Sequence, residues 1–554
     1  MSKENMSSCG GKLRQSTLDA FMHPKPDNNT TLDSLNTDSE RINKDSNSVP
    51  NRNTIILPWS QENRCMKKET GEVCQAWDII TTVMREKDVY TTYSLRRLLQ
   101  ALLVRDSNNL VSSKWKFDIL CYVIDDMMLP REREDFFDAT LPWMKQIVIN
   151  GPLLIPTNQL PILSQGETKR LLFTYEEVTT LMACGFFSLF PGRFPYCGKG
   201  REKSKKLGPF NFVQLFSLAP NERIESQRAK VRCLLQYFID CSHNMDSVKT
   251  GLELYRVGFS SFPNFHCSTA LMQNVITRAD GFIEESYGNL QVDFANKFIG
   301  GGVLRSGCVQ EEIRFVTCPE LILSILVCDS LQDNEVLFMS GAGEYSITRG
   351  YANSFRFLYG NSPRYVTLTR NAILPGHHQM MVELVPTTRQ EGTNKSWIVL
   401  RNTCVVAMDA VNYRGCAEKQ YTYEFIVREL RKAFVAFKGV TDSTLTSVHT
   451  GPVATGNWGC GAFQGELQLK LMIQWCAASQ AGRSLIYYAF WDDAFCCRFQ
   501  LVYEKIKREA WTVGNVLVVL LLFGQSCEQR PCLLNGGLFD YILSTPRWRC
   551  PSLQ

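Results

Sequence analysis

Long apolar runs and histidine are both scarce in this chain, and each scarcity removes a class of function. The most hydrophobic stretch, Val516–Phe523, is eight residues long, against roughly 20 needed to span a bilayer. It reads as a buried helix or strand, and no membrane segment is expected. The six histidines include one adjacent pair, His377-His378. That pair sits in a Pro/Gly-flanked loop with no partner at metal or triad spacing, so a surface role is expected. No G-x-S-x-G or H-E-x-x-H run occurs, which leaves serine-hydrolase and zinc-protease chemistry without a motif. A large excess of one sign of charge is absent too: a formal net charge of +5 over 554 residues is too small for a general nucleic-acid binder. No internal repeat is visible.

Cysteine, by contrast, is abundant at 21 residues, yet the opening MSKENMSSCGGKLRQ is polar and lacks the apolar centre of a secretory signal. Cysteines inside apolar runs, such as Cys121, Cys328 and Cys476, read as reduced core side chains of an intracellular protein. Cys496 and Cys497 are adjacent and four residues separate Cys527 from Cys532. Neither pair has a second pair or a nearby histidine, so no metal is expected. The expected location is nuclear or cytoplasmic, not secreted. One dense basic run, Lys199–Lys206, reads as a solvated loop, a local patch for a polyanion, or a nuclear-localisation signal.

Residues 1–53 are rich in Asn, Ser, Thr and Asp and cannot bury enough apolar surface to offset their ordering entropy, so a disordered tail is expected. From 54 to 250 the apolar spacing is helical: Ala76, Ile79, Ile80, Val83 and Met84 share a face, as do Leu95, Leu98, Leu99, Leu102 and Leu103. Val231, Leu234, Leu235, Phe238 and Ile239 repeat the stripe. Thr174 with Glu177 reads as a capping box. From 251 to 554 strands alternate with helices, which argues an α/β sheet covered on both faces. Strands are expected at Leu290–Phe294, Glu335–Met339, Thr403–Met408 and Ser484–Phe490, and helices at Pro319–Val327, Tyr423–Phe434 and Gln464–Ala478.

The chemistry concentrates in LQVDFANKFIGGGVLRSGCVQEEIR, residues 290–314. An apolar run ends in Asp293 and Asn296, then come Gly300, Gly301 and Gly302, and after seven residues Gln310, Glu311 and Glu312. Consecutive glycines let backbone approach an anion and aim N–H groups at it. A carboxylate pair beyond them suits acid/base chemistry on a sugar bond. Together they suggest hydrolysis of a nucleotide-linked sugar; either half alone would read as a turn or a solvated helix start. A second glycine turn, VATGNWGCGAFQGE (453–466), leads into an apolar helix, and such a turn offers free N–H groups and a helix dipole to phosphate. It could equally be a tight structural turn.

Both blocks resemble the poly(ADP-ribose) glycohydrolase family, the first through QVDFAN, the triple glycine and QEEIRF, the second through ATGNWGCGAF. The resemblance implies a macrodomain, a mixed sheet flanked by helices, preceded by an all-α accessory domain at 54–250. It implies Glu312 as general acid and base on the bond between ADP-ribose units, Glu311, Gln310 and Asn296 as ribose-orienting groups, and Asp293 as a positioning carboxylate. Asn457, Trp458, Gly459, Cys460, Gly461 and Ala462 would hold the diphosphate and distal ribose. Ile283, Glu284 and Phe490 would lie on the adenine side, and Tyr351 would line the pocket. No cofactor is implied. Arg305, Trp491, Gln464 and Glu466 depart from the family pattern.

The implied substrate is poly(ADP-ribose) on modified proteins, and the enzyme a monomer. A non-catalytic ADP-ribose reader is the rival; it would need the glycine loops but have no use for Gln-Glu-Glu. In the tail, Gln15, Leu18, Phe21 and Met22 resemble a sliding-clamp (PCNA) interaction box, with Met22 where a second aromatic is usual. A scaffold recruited to replication or repair sites through that box is the third reading.

Overall fold

The helical stripes fold as helices because each buries one face. Helix Ala76–Glu86 buries Ala76, Ile80 and Met84, and helix Thr92–Leu103 buries all five of its leucine-stripe residues. Thr174 caps helix Tyr175–Phe186 by accepting from the Glu177 N–H while the Glu177 carboxylate accepts from the Thr174 N–H, a reciprocal box. Helix Ile224–His243 buries Val231, Leu234, Leu235 and Phe238. This computed structural model describes residues 54–66, 72–103, 115–193, 207–217, 221–243, 250–361, 382–386, 397–401, 403–439, 451–529 and 537–546. The tail at 1–53 with its clamp-like box, the basic run 199–206, His377-His378 and Cys532 lie outside the described residues.

Helices do not account for all of 54–250. Strands β1 (Thr54–Ile56) and β4 (Gln159–Pro161) pair antiparallel, as do β2 (Arg64–Met66) and β3 (Val73–Gln75). A fifth strand, β5 (Lys169–Phe173), pairs with β6 (Leu252–Gly258) and so joins the main sheet. Helical periodicity hid it, since three to five residues are too few to show period two against a helical background.

The remaining strands of that sheet are β7 (Val275–Arg278), β8 (Leu290–Asp293), β9 (Glu335–Ser340), β14 (Cys404–Ala407), β15 (Val453–Gly456) and β16 (Leu485–Tyr488). Two more antiparallel pairs lie outside it, β10 (Ser346–Arg349) with β11 (Arg356–Gly360) and β12 (Val382–Pro386) with β13 (Trp397–Arg401). The eight-stranded order is β5-β6-β9-β14-β8-β15-β16-β7. The last five run parallel to one another, and β9 runs against β6 and β14.

Alternation along β9 distributes its side chains between two cores. Leu337 and Met339 join the one that holds the helices of 76–243 and helix Gln310–Thr317, while Val336 and Phe338 face helices Tyr423–Lys438, Leu467–Ala481 and Val513–Gln529. A sheet with helices on both faces follows from that period. The run Val516–Phe523 is interior to helix Val513–Gln529. Among the described residues no helix is long and apolar enough to cross a membrane, and no group of three or more His, Cys, Asp or Glu side chains could hold a metal ion.

Parallel pairing has one consequence for function. Register matches Asp293 to Ala407, Gly456 to Tyr488 and Tyr488 to Arg278. The carboxyl ends of β7, β8, β14, β15 and β16 therefore emerge on one edge, where ligands of open α/β sheets bind. Both glycine loops leave from that edge.

Candidate active site

Glu311 and Glu312 occupy the first turn of helix Gln310–Thr317, where the positive end of the helix dipole favours carboxylates. Glu312 accepts from the N–H of Val309 at 2.8 Å and of Gly302 at 2.7 Å. Glu311 accepts from Gly300 at 2.7 Å and Asn296 at 3.0 Å. Both side chains are buried. Gln310 accepts from the Phe294 N–H at 2.8 Å and donates to Glu284 at 3.2 Å. Three successive side chains thus tie one helix end to the loop after β8 and to the turn at Ile283–Glu285.

This geometry corrects the reading of the triple glycine as a phosphate cradle. The N–H groups of Gly300 and Gly302 point at the two carboxylates, and that of Gly301 donates to Phe298 O. None is left for an outside anion. Glycine is required here for closeness instead. A β-carbon on Gly301, whose φ is +51°, would stand 2.5 Å from Glu311 Oε2 and 2.6 Å from Glu312 Oε1. Gly307, not singled out from the sequence, is equally constrained, with a β-carbon 2.6 Å from Glu312 Oε1. Its signal was a further glycine five residues after the triplet.

The second loop does leave donors free. Gly459, Gly461, Ala462 and Phe463 donate their N–H to no group among the described residues, and a β-carbon on Gly461 would meet nothing within 4 Å. Tight contacts hold the loop from behind. Trp458 is buried and donates to Met408 O at 3.0 Å, with the Lys470 ammonium 3.8 Å from its ring centre. Asn457 accepts from the Tyr487 hydroxyl at 2.8 Å, and Cys460 closes a turn onto Asn457 O. Gly456 lies close to Phe294: a β-carbon there would be 3.6 Å from that ring. Carboxylates and free amides therefore face the same edge from adjacent strands.

Asp293, at the end of β8, is fully buried, and neither of its oxygens has a hydrogen-bond partner. Burial, then the charges of Glu312 and Glu284, push its carboxyl well above the usual range, with Arg314 opposing. Glu311 is raised too, by burial and by Asp293 and Glu312, but its two backbone donors favour the anion. Of these two raised carboxyls, Asp293, which has no donor, has the less support for its anion.

The aromatic rim is exposed. Phe490 is 55% accessible and Trp491 62%, so neither is core packing. Phe490 lies 6.0 Å from the Tyr351 ring and Trp491 lies 6.3 Å from Phe282, edge to face. Both residues have positive φ, 56° and 66°, a conformation that costs a non-glycine residue on the order of 1–3 kcal/mol and clusters at binding sites. Ile283, beside Phe282, is buried.

Comparison with known proteins places both domains in one family. Residues 262–496 match the model of the poly(ADP-ribose) glycohydrolase macro-domain fold, and residues 128–254 match that of the same family's helical domain. The chain is 27% identical over 504 residues to poly(ADP-ribose) glycohydrolase 1 of Arabidopsis thaliana, covering 76% of this chain and 84% of that protein. It is 32% identical over 246 residues to poly(ADP-ribose) glycohydrolase 2 of Caenorhabditis elegans, covering 44% and 45%. With both domain models matched in order and the carboxylate pair set between two glycine loops, the chain belongs to the poly(ADP-ribose) glycohydrolase family.

Proposed function

We propose that this protein hydrolyses the ribose–ribose glycosidic bonds of poly(ADP-ribose) and releases ADP-ribose. The observation that carries the reading is the pinning of two adjacent carboxylates by four backbone N–H groups, beside a loop whose own N–H groups are free. A reader of ADP-ribose would use the second loop and gain nothing from burying two adjacent carboxyl groups.

In this mechanism the diphosphate lies on the N–H groups of Gly459, Gly461 and Ala462, with Asn457, Trp458 and Cys460 shaping the loop. The distal ribose then reaches Glu311 and Glu312. Glu312 gives its proton to the leaving ribose oxygen as the C1″–O bond breaks, and an oxocarbenium-like C1″ develops. Ionised Glu312 next takes a proton from the water that attacks C1″. Glu311, with Gln310 and Asn296, orients the ribose hydroxyls, and Asp293 is a positioning carboxyl behind them. The anionic diphosphate and carboxylates stabilise the cationic transition state. Adenine lies between Ile283 and Glu284 on one side and Phe490 on the other, with Tyr351 closing over the ribose. Gly300, Gly301 and Gly302 let the substrate come close to the carboxylates.

The same reading treats 54–250 as accessory domain, 251–554 as catalytic domain and 1–53 as a tail. It places the enzyme in nucleus or cytoplasm as a monomer, recruited to a sliding clamp (PCNA) through Gln15, Leu18, Phe21 and Met22 in response to DNA damage. Incubation with poly(ADP-ribose) chains followed by product sizing tests the activity. Release of ADP-ribose is expected; chains bound but left intact would make the protein a reader.

A further inference from the structure

Lys230 lies on the buried face of helix Ile224–His243, one turn before Leu234, and is fully inaccessible. Its ammonium donates into a single loop: to Val303 O at 2.9 Å, Arg305 O at 2.6 Å, Gly307 O at 2.5 Å and Gly302 O at 3.5 Å. That loop closes on itself through the Gly307 N–H to Gly302 O at 3.1 Å. A β-carbon on Gly302 would be 2.9 Å from the Gly307 Cα, so the two ends of the ring are in contact. Arg223 adds a bond to Ser306 O at 3.1 Å. Several inward carbonyl dipoles in so small a ring repel one another unless a cation sits at their focus, and an ammonium offers three donors for them.

We propose that Lys230 is a positioning residue for hydrolysis, holding the Gly302–Gly307 ring closed so that the Gly302 N–H faces Glu312. The fold then gives the helical region a direct part in the reaction, because the residue that sets the carboxylate comes from its last long helix. Charge is integral to the role. Burial lowers the Lys230 pKa to about 8, while Cys308 and Glu312 raise it and Arg223 lowers it further. Cys308 is itself pushed up to about 12 and stays neutral, so above about pH 8 the ring loses its cation.

The inference rests on the glycohydrolase reading, and the test keeps the two apart. Full-length wild type, Lys230→Met and Lys230→Arg would be compared for kcat and KM on poly(ADP-ribose), ADP-ribose affinity by calorimetry, and thermal midpoint. An inactive wild type would defeat the functional reading itself. With an active wild type, Lys230→Met should lose about 10²-fold in kcat, the scale of a misplaced catalytic group. Its ADP-ribose affinity should stay within about threefold, because the second glycine loop is untouched. Lys230→Arg, which cannot deprotonate, should recover most of kcat and remove the fall in activity above about pH 8. A folded Lys230→Met with kcat within about twofold of wild type would overturn the proposal. So would kcat and affinity falling together in proportion to the folded fraction. Should neither variant fold, the wild-type profile decides: kcat bending down above about pH 8 supports the role, and a flat profile to pH 10 overturns it.

Discussion

The N–H of Gly302 donates to Oε1 of Glu312 at 2.7 Å, so the triple glycine holds this carboxylate in place of any outside anion. A backbone donor has no rotamers to lose and cannot swing away, which makes it a firmer support than a side chain for the group proposed to give and take a proton. The N–H groups of the second loop, by contrast, remain free among the described residues.

Replacing Glu312 by Gln retains the side-chain volume and the acceptance from Gly302 while removing the proton. Acid/base catalysis contributes about 10²–10⁴-fold, so release of ADP-ribose should fall by that order with ADP-ribose binding retained. Single-turnover assays beside calorimetry would check both halves. Near-normal turnover would remove Glu312 from the mechanism.

Gly301→Ala places a β-carbon between the two carboxylates and keeps φ at +51°. Strain of about 1–3 kcal/mol is expected, together with a loss in kcat of about 10²-fold. ADP-ribose affinity should change little, since no Gly301 N–H is available to phosphate. A large drop in affinity at normal kcat would restore the phosphate-cradle reading.

Gly461→Asp is the complementary change. Space is open around a β-carbon at 461 and its φ is not positive, so the thermal midpoint should hold. A new carboxylate beside the diphosphate should weaken ADP-ribose binding by at least about tenfold, or 1.4 kcal/mol. Unchanged affinity would place the diphosphate elsewhere.

Asp293→Asn imitates the protonated carboxyl. The folded-state pKa of Asp293 is raised above its unfolded value, so its contribution to stability is intact below about pH 4 and is lost progressively as pH rises from there. The asparagine variant has no such loss. Its thermal midpoint should exceed that of wild type by more at pH 7 than at pH 4, with hydrolysis kept within about tenfold. A gain that is larger at pH 4 would mean that Asp293 is ionised in the fold.

In the tail, alanine at Leu18 and Phe21 should abolish capture of a sliding clamp and leave hydrolysis in solution unaltered, because a short motif concentrates its binding in a few apolar anchors. Titrating a peptide of residues 10–26 against purified clamp is the direct check. No binding at a few hundred micromolar, roughly −5 kcal/mol, would reduce the box to a coincidence of composition.

Much of this was legible in the chain itself. The capping pair Thr174 and Glu177, the strands at 290, 335, 404 and 485, the helix at 423 and the helix after the second glycine loop rest on local spacing and capping. Glu311 and Glu312 stand out because a carboxylate pair follows the glycine run at short spacing, the order in which both resemble the family's signature. Three things belonged to tertiary structure alone. Strand β5 is defined by its partner β6, not by its own five residues. Which glycine loop offers N–H groups depends on where helix Gln310–Thr317 lands against residues 296–302, a matter of packing within one core. Lys230 stands 72 residues before Gly302 on an apolar stripe, where a lysine is unremarkable until a ring of carbonyls is folded around it. Sequence by itself determined which chemical groups are present and which local elements carry them. The direction in which each backbone N–H points was decided by non-local pairing and burial, because a peptide group turns with the loop that holds it, and neighbours distant in sequence hold the loop.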